Sequence, residues 1–124
     1  QLRPNIHIAD MAESYIKVLE ADKEKVAGKI YNVGYENQSV REIAEIVREV
    51  IGDDITLIST PTNDNRSYHI SSERIRRELA FEATRTIRDA VKNLRDALDG
   101  GKLPNSLEDE RYFNIRRMQS IQLT

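Results

Sequence analysis

Four stretches of helical periodicity, separated by short β-branched runs, constrain this chain more than any other feature. Asp10-Met11-Ala12-Glu13 has a capping-box-like pattern, and Ala12, Tyr15, Ile16 and Leu19 follow as one apolar stripe. Ser39-Val40-Arg41-Glu42 is a second capping box. It opens a helix whose Val40, Ile43, Ala44, Val47 and Ile51 share a face, and Gly52 stops it. Ser71 or Ser72 caps a short helix through Leu79. Thr86 caps a fourth, with Ile87, Ala90, Val91, Leu94 and Leu98 as its stripe and Gly100-Gly101 as its end.

Between these helices lie strand-like runs. Gly28 marks a turn before Lys29-Ile30-Tyr31-Asn32-Val33, which Gly34 closes. Ile55 to Ser59 is short and β-branched, and Tyr68-His69-Ile70 reads as a brief strand. Thr60 to Arg66 is polar with Pro61 inside, so a loop is expected there. Helices alternating with short strands imply a layered α/β arrangement. The strands are few for the helices. Either a sheet completed by residues outside this chain or a self-sufficient small α/β domain accounts for that.

The 124 residues suffice for one compact domain, with 39% apolar and 32% charged residues. That balance suits a small domain with much surface or a piece of something larger. Gln1 is no initiator and Met11 falls inside a helix, so the chain is expected to start within a longer protein. A net charge of −2 gives no general pull toward nucleic acid or anionic membrane, and neither is expected as a partner. With no cysteine, disulfides and thiolate metal sites are excluded. No apolar run approaches the ~20 residues of a membrane span, and no signal-peptide core is present near the start. A soluble, cytoplasmic protein is the expectation.

Most catalytic chemistry is missing. The glycines at 28, 34, 52, 100 and 101 form no phosphate-cradling turn. His7 and His69 make no metal motif, and no serine sits in a nucleophile elbow. Tyrosines are followed four residues on by Leu19, Tyr35, Ser39, Ser72 and Arg116, never by lysine. The device in which an ammonium lowers a phenol pKa on one helix face is therefore absent. Arginine remains. Arg3 precedes a helix start and Arg66 lies in a polar loop. Two converging guanidinium forks would suit a diphosphate, although a loop arginine taken alone is more often a solvated surface charge.

Five segments in order resemble extended short-chain dehydrogenase/reductase enzymes, the NAD-dependent nucleotide-sugar epimerases and dehydratases. Gln1-Leu2-Arg3-Pro4-Asn5-Ile6-His7-Ile8-Ala9-Asp10 is similar to Q-x-R-[DP]-x-[IV]-H-V-x-D, and Ile30 to Gly34 contains the family's Y-N-[LV]-G. Asn37 to Ala44 resembles N-x-S-V-x-E-[IL]-A. Asp64 to Leu79 resembles D-x-R-x-Y-x-x-D-x-x-K-I-x-x-E-L, and Thr86 to Val91 the closing T-I-x-x-[AG]-[VL] helix. Each motif alone is weak; five in the family's order over residues 1 to about 98 are specific.

The resemblance implies a Rossmann lobe that binds NAD and carries catalysis, followed by a smaller C-terminal lobe that holds a nucleoside diphosphate. Residues 1–35 would supply the last helix and strand of the cofactor lobe. Residues 36–124 would be a small α/β substrate-binding lobe with a polar tail. The chain alone would bind no NAD and hold no catalytic residue. Its partners would be the nucleotide sugar, the missing Rossmann lobe and, through exposed apolar faces, a second copy. Carried over by position, Arg3 and Arg66 match the arginines that grip phosphates and ribose, and Asn5 matches a substrate contact. Asp64 and Tyr68 fall where a strand faces the nucleotide. His7 matches a motif position, with a buried, hydrogen-bonded role the more natural one.

The match departs at Pro4 and Ser71, each where many members carry Asp, at Arg74 for Lys, and at Ala80 for Gly. The last removes the easy left-handed helix stop.

Two alternatives stand beside this. One is a stand-alone module that binds a sugar nucleotide without catalysis. The other is a helix-turn-helix unit around Val40 to Val50, disfavoured because Gly52-Asp53-Asp54 and a strand-like run replace the turn into a recognition helix.

Overall fold

The computed structural model describes residues 2–61, 63 and 66–123. Among these it is a small mixed α/β structure with two antiparallel strands and six α-helices. Strand β1 spans Leu2–Asn5 and helix α1 Ile8–Glu20, followed by the single turn α2, Lys23–Val26. Strand β2 is Glu36–Ser39, and α3, Val40–Ile51, leaves it directly. Helices α4, Glu73–Leu79, and α5, Ile87–Asp99, follow, then a 3₁₀ turn at Glu110–Tyr112 and α6, Asn114–Ser120. The chain divides into two compact units, residues 1–93 and 94–124, with both sides of the expected boundary at residue 35 inside the first.

Several helix ends match their expected chemistry. The Ser39 hydroxyl accepts from the Glu42 N–H while the Glu42 carboxylate accepts from the Ser39 N–H, a complete capping box. Thr86 and Asp89 form the same reciprocal pair before α5. At the other end of α5 the Gly101 N–H reaches the Leu98 carbonyl and the Lys102 N–H reaches Ala97. Gly101 adopts φ +66°, a conformation that other residues take only with strain.

Helix α1 departs from expectation. It is capped by His7, whose Nδ1 accepts the Ala9 N–H at 3.1 Å, and not by Asp10. Asp10 lies one turn in and is only 1% exposed. Its carboxylate accepts the backbone N–H groups of Thr84 and Arg85, at 3.0 and 2.8 Å, and the Arg85 guanidinium. Arg85 also reaches Glu13 at 2.9 Å. Burial would raise the Asp10 pKa, but these donors outweigh it and hold the carboxyl below its usual value.

The strand-like runs expected at Lys29–Val33, Ile55–Ser59 and Tyr68–Ile70 form no ladder. Strand formation needs a partner edge, and among the described residues only β1 and β2 pair as strands. Their register sets Leu2 against Ser39, Arg3 against Gln38, Pro4 against Asn37 and Asn5 against Glu36.

The core of the first unit is small. Ile75, Phe81 and Ala83 are buried, with Ile6, Tyr31, Val33 and Leu79 packed against them. The α1 stripe stays in solvent: Tyr15 is 66% exposed and Leu19 83%, and Ile30 beyond it is 80% exposed. Exposed apolar groups in such number are unusual for an isolated domain. No helix among the described residues is long and apolar enough to cross a membrane.

Candidate functional site

Pairing of β1 with β2 leaves the far edge of β1 to the segment 66–70. Leu2 donates its N–H to the Ser67 hydroxyl at 2.9 Å, and the Tyr68 N–H reaches the Leu2 carbonyl at 3.4 Å. This brings residues separated by more than sixty positions side by side. The Arg3 guanidinium donates to the Leu2 carbonyl at 3.0 Å and to the Arg66 carbonyl at 2.5 Å. It also lies over the Tyr68 ring, 5.6 Å from the centroid. A cation over an aromatic face is attracted by the ring quadrupole, and two backbone carbonyls fix the fork in that place.

Of the five residues expected at a nucleotide site, three therefore meet: Arg3, Arg66 and Tyr68. The bond from Arg3 to residue 66 goes to its backbone, while the Arg66 side chain is exposed. Asn5 is half-buried on the same strand face as Arg3, and its amide donates to the Arg3 carbonyl at 2.7 Å. That bond holds the strand, and the Asn5 carbonyl in turn accepts the Tyr35 N–H at 2.8 Å. Asp64 lies outside the described residues. His7 is half-buried and serves as the α1 cap.

Two residues that sequence reasoning passed over border this site. Gln38 faces Arg3 across the ribbon, and its side-chain oxygen is enclosed without a hydrogen-bond donor among the described residues. Asn37 pairs its carboxamide with the backbone of Ile70, donating to the carbonyl at 3.1 Å and accepting the N–H at 3.0 Å. Their positions follow from the strand register, which local pattern does not encode.

A cleft of about 250 Å³ opens beside the segment, lined by Gly34, Tyr35, Ile70, Ser72, Arg76 and Phe81 among others. At its floor the Ser72 hydroxyl accepts the Gly34 N–H and donates to the Gly34 carbonyl, both at 2.8 Å. A Cβ on Gly34 would stand 2.8 Å from the end of the Ile70 side chain, which would have to shift to admit it. A second, shallower cleft of about 450 Å³ lies along Lys17, Asp22, Lys25, Arg77 and Glu78. Arg3 and Arg66 line neither of these clefts.

The remaining charge clusters close on themselves. Glu78 accepts from Lys29 and Tyr31, each at 2.9 Å, and from Arg74 at 3.2 Å. The Lys29 ammonium and the Tyr31 hydroxyl hold its pKa down, at about 2. Partial burial and that same carboxylate push the Tyr31 phenol up. Arg76 is joined to Glu73. No group of three or more His, Asp or Glu among the described residues could hold a metal ion. The arrangement at Arg3 and Tyr68 is thus suited to binding an anion or a flat polar ring. No family model, curated protein or solved structure matches this chain.

Proposed function

We propose that this chain is the substrate-binding portion of an NAD-dependent nucleotide-sugar epimerase or dehydratase, gripping the nucleoside diphosphate while a separate Rossmann lobe carries cofactor and catalysis. The observation that carries the reading is the convergence of Arg3, the Arg66 backbone and Tyr68 on one edge of the β1–β2 ribbon. The resemblance assigns these three positions to one ligand, and their adjacency supports that assignment. Chemically, a guanidinium held beside an exposed aromatic ring, with a second, exposed arginine next to it, offers a fork for phosphate oxygens and a face for ribose or base. The exposed apolar stripe of α1 and the unpaired run at Lys29–Val33 further support a neighbouring lobe.

Titration of the chain with UDP, dTDP, GDP and CDP, followed by amide NMR, tests this. Saturable shifts at residues 2–5 and 66–70 that disappear in Arg3→Ala are expected. No saturation below roughly 1 mM for any of the four, a level worth only about 4 kcal/mol, would refute the reading.

A further inference from the structure

The geometry points to Asn37 as the positioning residue of the arginine site, the side chain that anchors the segment carrying Tyr68 where Arg3 can use its ring. This rests on the nucleotide-binding reading above. Asn37 stands opposite Pro4, the one residue of β1 with no N–H to offer a further strand. At that point a backbone ladder between β1 and the 66–70 segment cannot continue. The Asn37 carboxamide takes over instead, meeting both the N–H and the carbonyl of Ile70 in one two-point pair. An amide has a donor and an acceptor side by side, as a strand's backbone does, so it can stand in for one. Two residues upstream, Tyr68 carries the ring under Arg3, and Leu2 holds Ser67 and Tyr68 from the other side. The segment is thus pinned at 67–68 by backbone and at 70 by Asn37. With release at 70, Tyr68 keeps only the long 3.4 Å bond from its N–H to Leu2, and its ring is held less firmly against Arg3.

Asn37→Ala and Asn37→Asp test it. The carboxylate keeps the acceptor for the Ile70 N–H but sets an anion against the Ile70 carbonyl, so both variants lose the two-point pair. Each is compared with wild type by far-UV spectrum, by nuclear Overhauser contacts between Arg3 and Tyr68, and by UDP, dTDP, GDP and CDP titration. With the fold retained, we expect the Arg3–Tyr68 contacts to fade and the tightest nucleotide to weaken about tenfold. Adding Arg3→Ala to Asn37→Ala should then cost little more, because both changes remove one shared function. A residue that only stabilises the fold would give losses that add. Unchanged affinity in a folded variant, or fully additive losses, overturns the positioning role and leaves the nucleotide reading intact. Wild type that binds none of the four nucleotides overturns both.

Discussion

Asp10 and Arg85 are joined twice: a carboxylate that is 1% exposed receives both the backbone N–H and the guanidinium of one residue seventy-five positions away. The pair ties the first turn of α1 to the start of α5. Removing the carboxylate would take the acceptor from two part-buried N–H groups and leave the guanidinium with Glu13. Asp10→Ala should therefore destabilise the chain by about 1–3 kcal/mol, read as a lower urea midpoint at unchanged slope.

The same link sets an acid limit. Asp10 and Glu78 both have folded pKa values below their ordinary ones, Glu78 at about 2. A depressed carboxylate pKa contributes stability that is complete above the unfolded value and lost as pH falls through the folded one. The chain should keep its full stability from neutral pH down to about 5 and lose it progressively below about 4. Carbonyl-carbon NMR titration checks the Glu78 share directly. A Glu78 midpoint near 4.5 would mean that Lys29, Tyr31 and Arg74 do not hold it in solution.

Local chemistry made the helix ends legible. Ser39 with Glu42, Thr86 ahead of Asp89, and Gly101 each decide their own boundary within a few residues. The strands were not legible, for the opposite reason. Leu2-Arg3-Pro4-Asn5 and Glu36-Asn37-Gln38-Ser39 are poor in β-branched residues, and only their mutual pairing makes them strands. Ile30-Tyr31-Asn32-Val33 has the better pattern but no edge to join. The site divides in the same way. The resemblance gives Arg3, Arg66 and Tyr68 a site role, whereas Asn37, although it opens a matching motif, and Gln38 reach the site through the strand register. Asp10 was misread because a carboxylate three residues before a Glu looks the same whether it caps a helix or anchors a distant loop.

Ala80 ends α4 in the left-handed region, φ 51° and ψ 35°, where an alanine Cβ crowds its own backbone. The helix stops where a glycine would have stopped it, with strain in place of freedom. Ala80→Gly relieves that crowding at the cost of a more flexible unfolded chain. We expect a net gain of roughly 0.5–1 kcal/mol, seen as a higher melting temperature. A lower melting temperature would show that the Ala80 methyl makes a contact that outweighs the strain.

The α1 stripe bears on cofactor and assembly together. Tyr15, Ile16 and Leu19 are 66, 51 and 83% exposed. If they face a Rossmann lobe in the proposed enzyme, the isolated chain should associate with itself and bind no NAD, since no glycine-rich turn presents amides to a pyrophosphate. Sedimentation velocity should show concentration-dependent association that Leu19→Glu with Ile16→Lys suppresses. A monomer at millimolar concentration, or calorimetric NAD binding in the micromolar range, would contradict this.

The last prediction concerns the two arginines in the full-length enzyme proposed above. The Arg3 guanidinium bonds the backbone carbonyl of Arg66, so Arg66→Ala removes a fork while keeping that acceptor for Arg3. Arg3→Ala removes both a fork and the tie between β1 and the 66–68 segment. A charge-assisted guanidinium–phosphate contact is worth about 1.5–3 kcal/mol, or roughly one to two powers of ten in affinity. The diphosphate keeps its charge while hydride moves at the sugar ring, so ground and transition states feel the contact alike. Loss of such uniform binding raises KM and leaves kcat nearly alone. Arg66→Ala should follow that pattern cleanly. Arg3→Ala should cost more, and the double mutant less than the sum, because the two share one anion and one segment. Steady-state kinetics on the two single variants and the double variant separate these outcomes. An unchanged KM for Arg66→Ala would leave this arginine a solvated surface charge and place the nucleotide elsewhere.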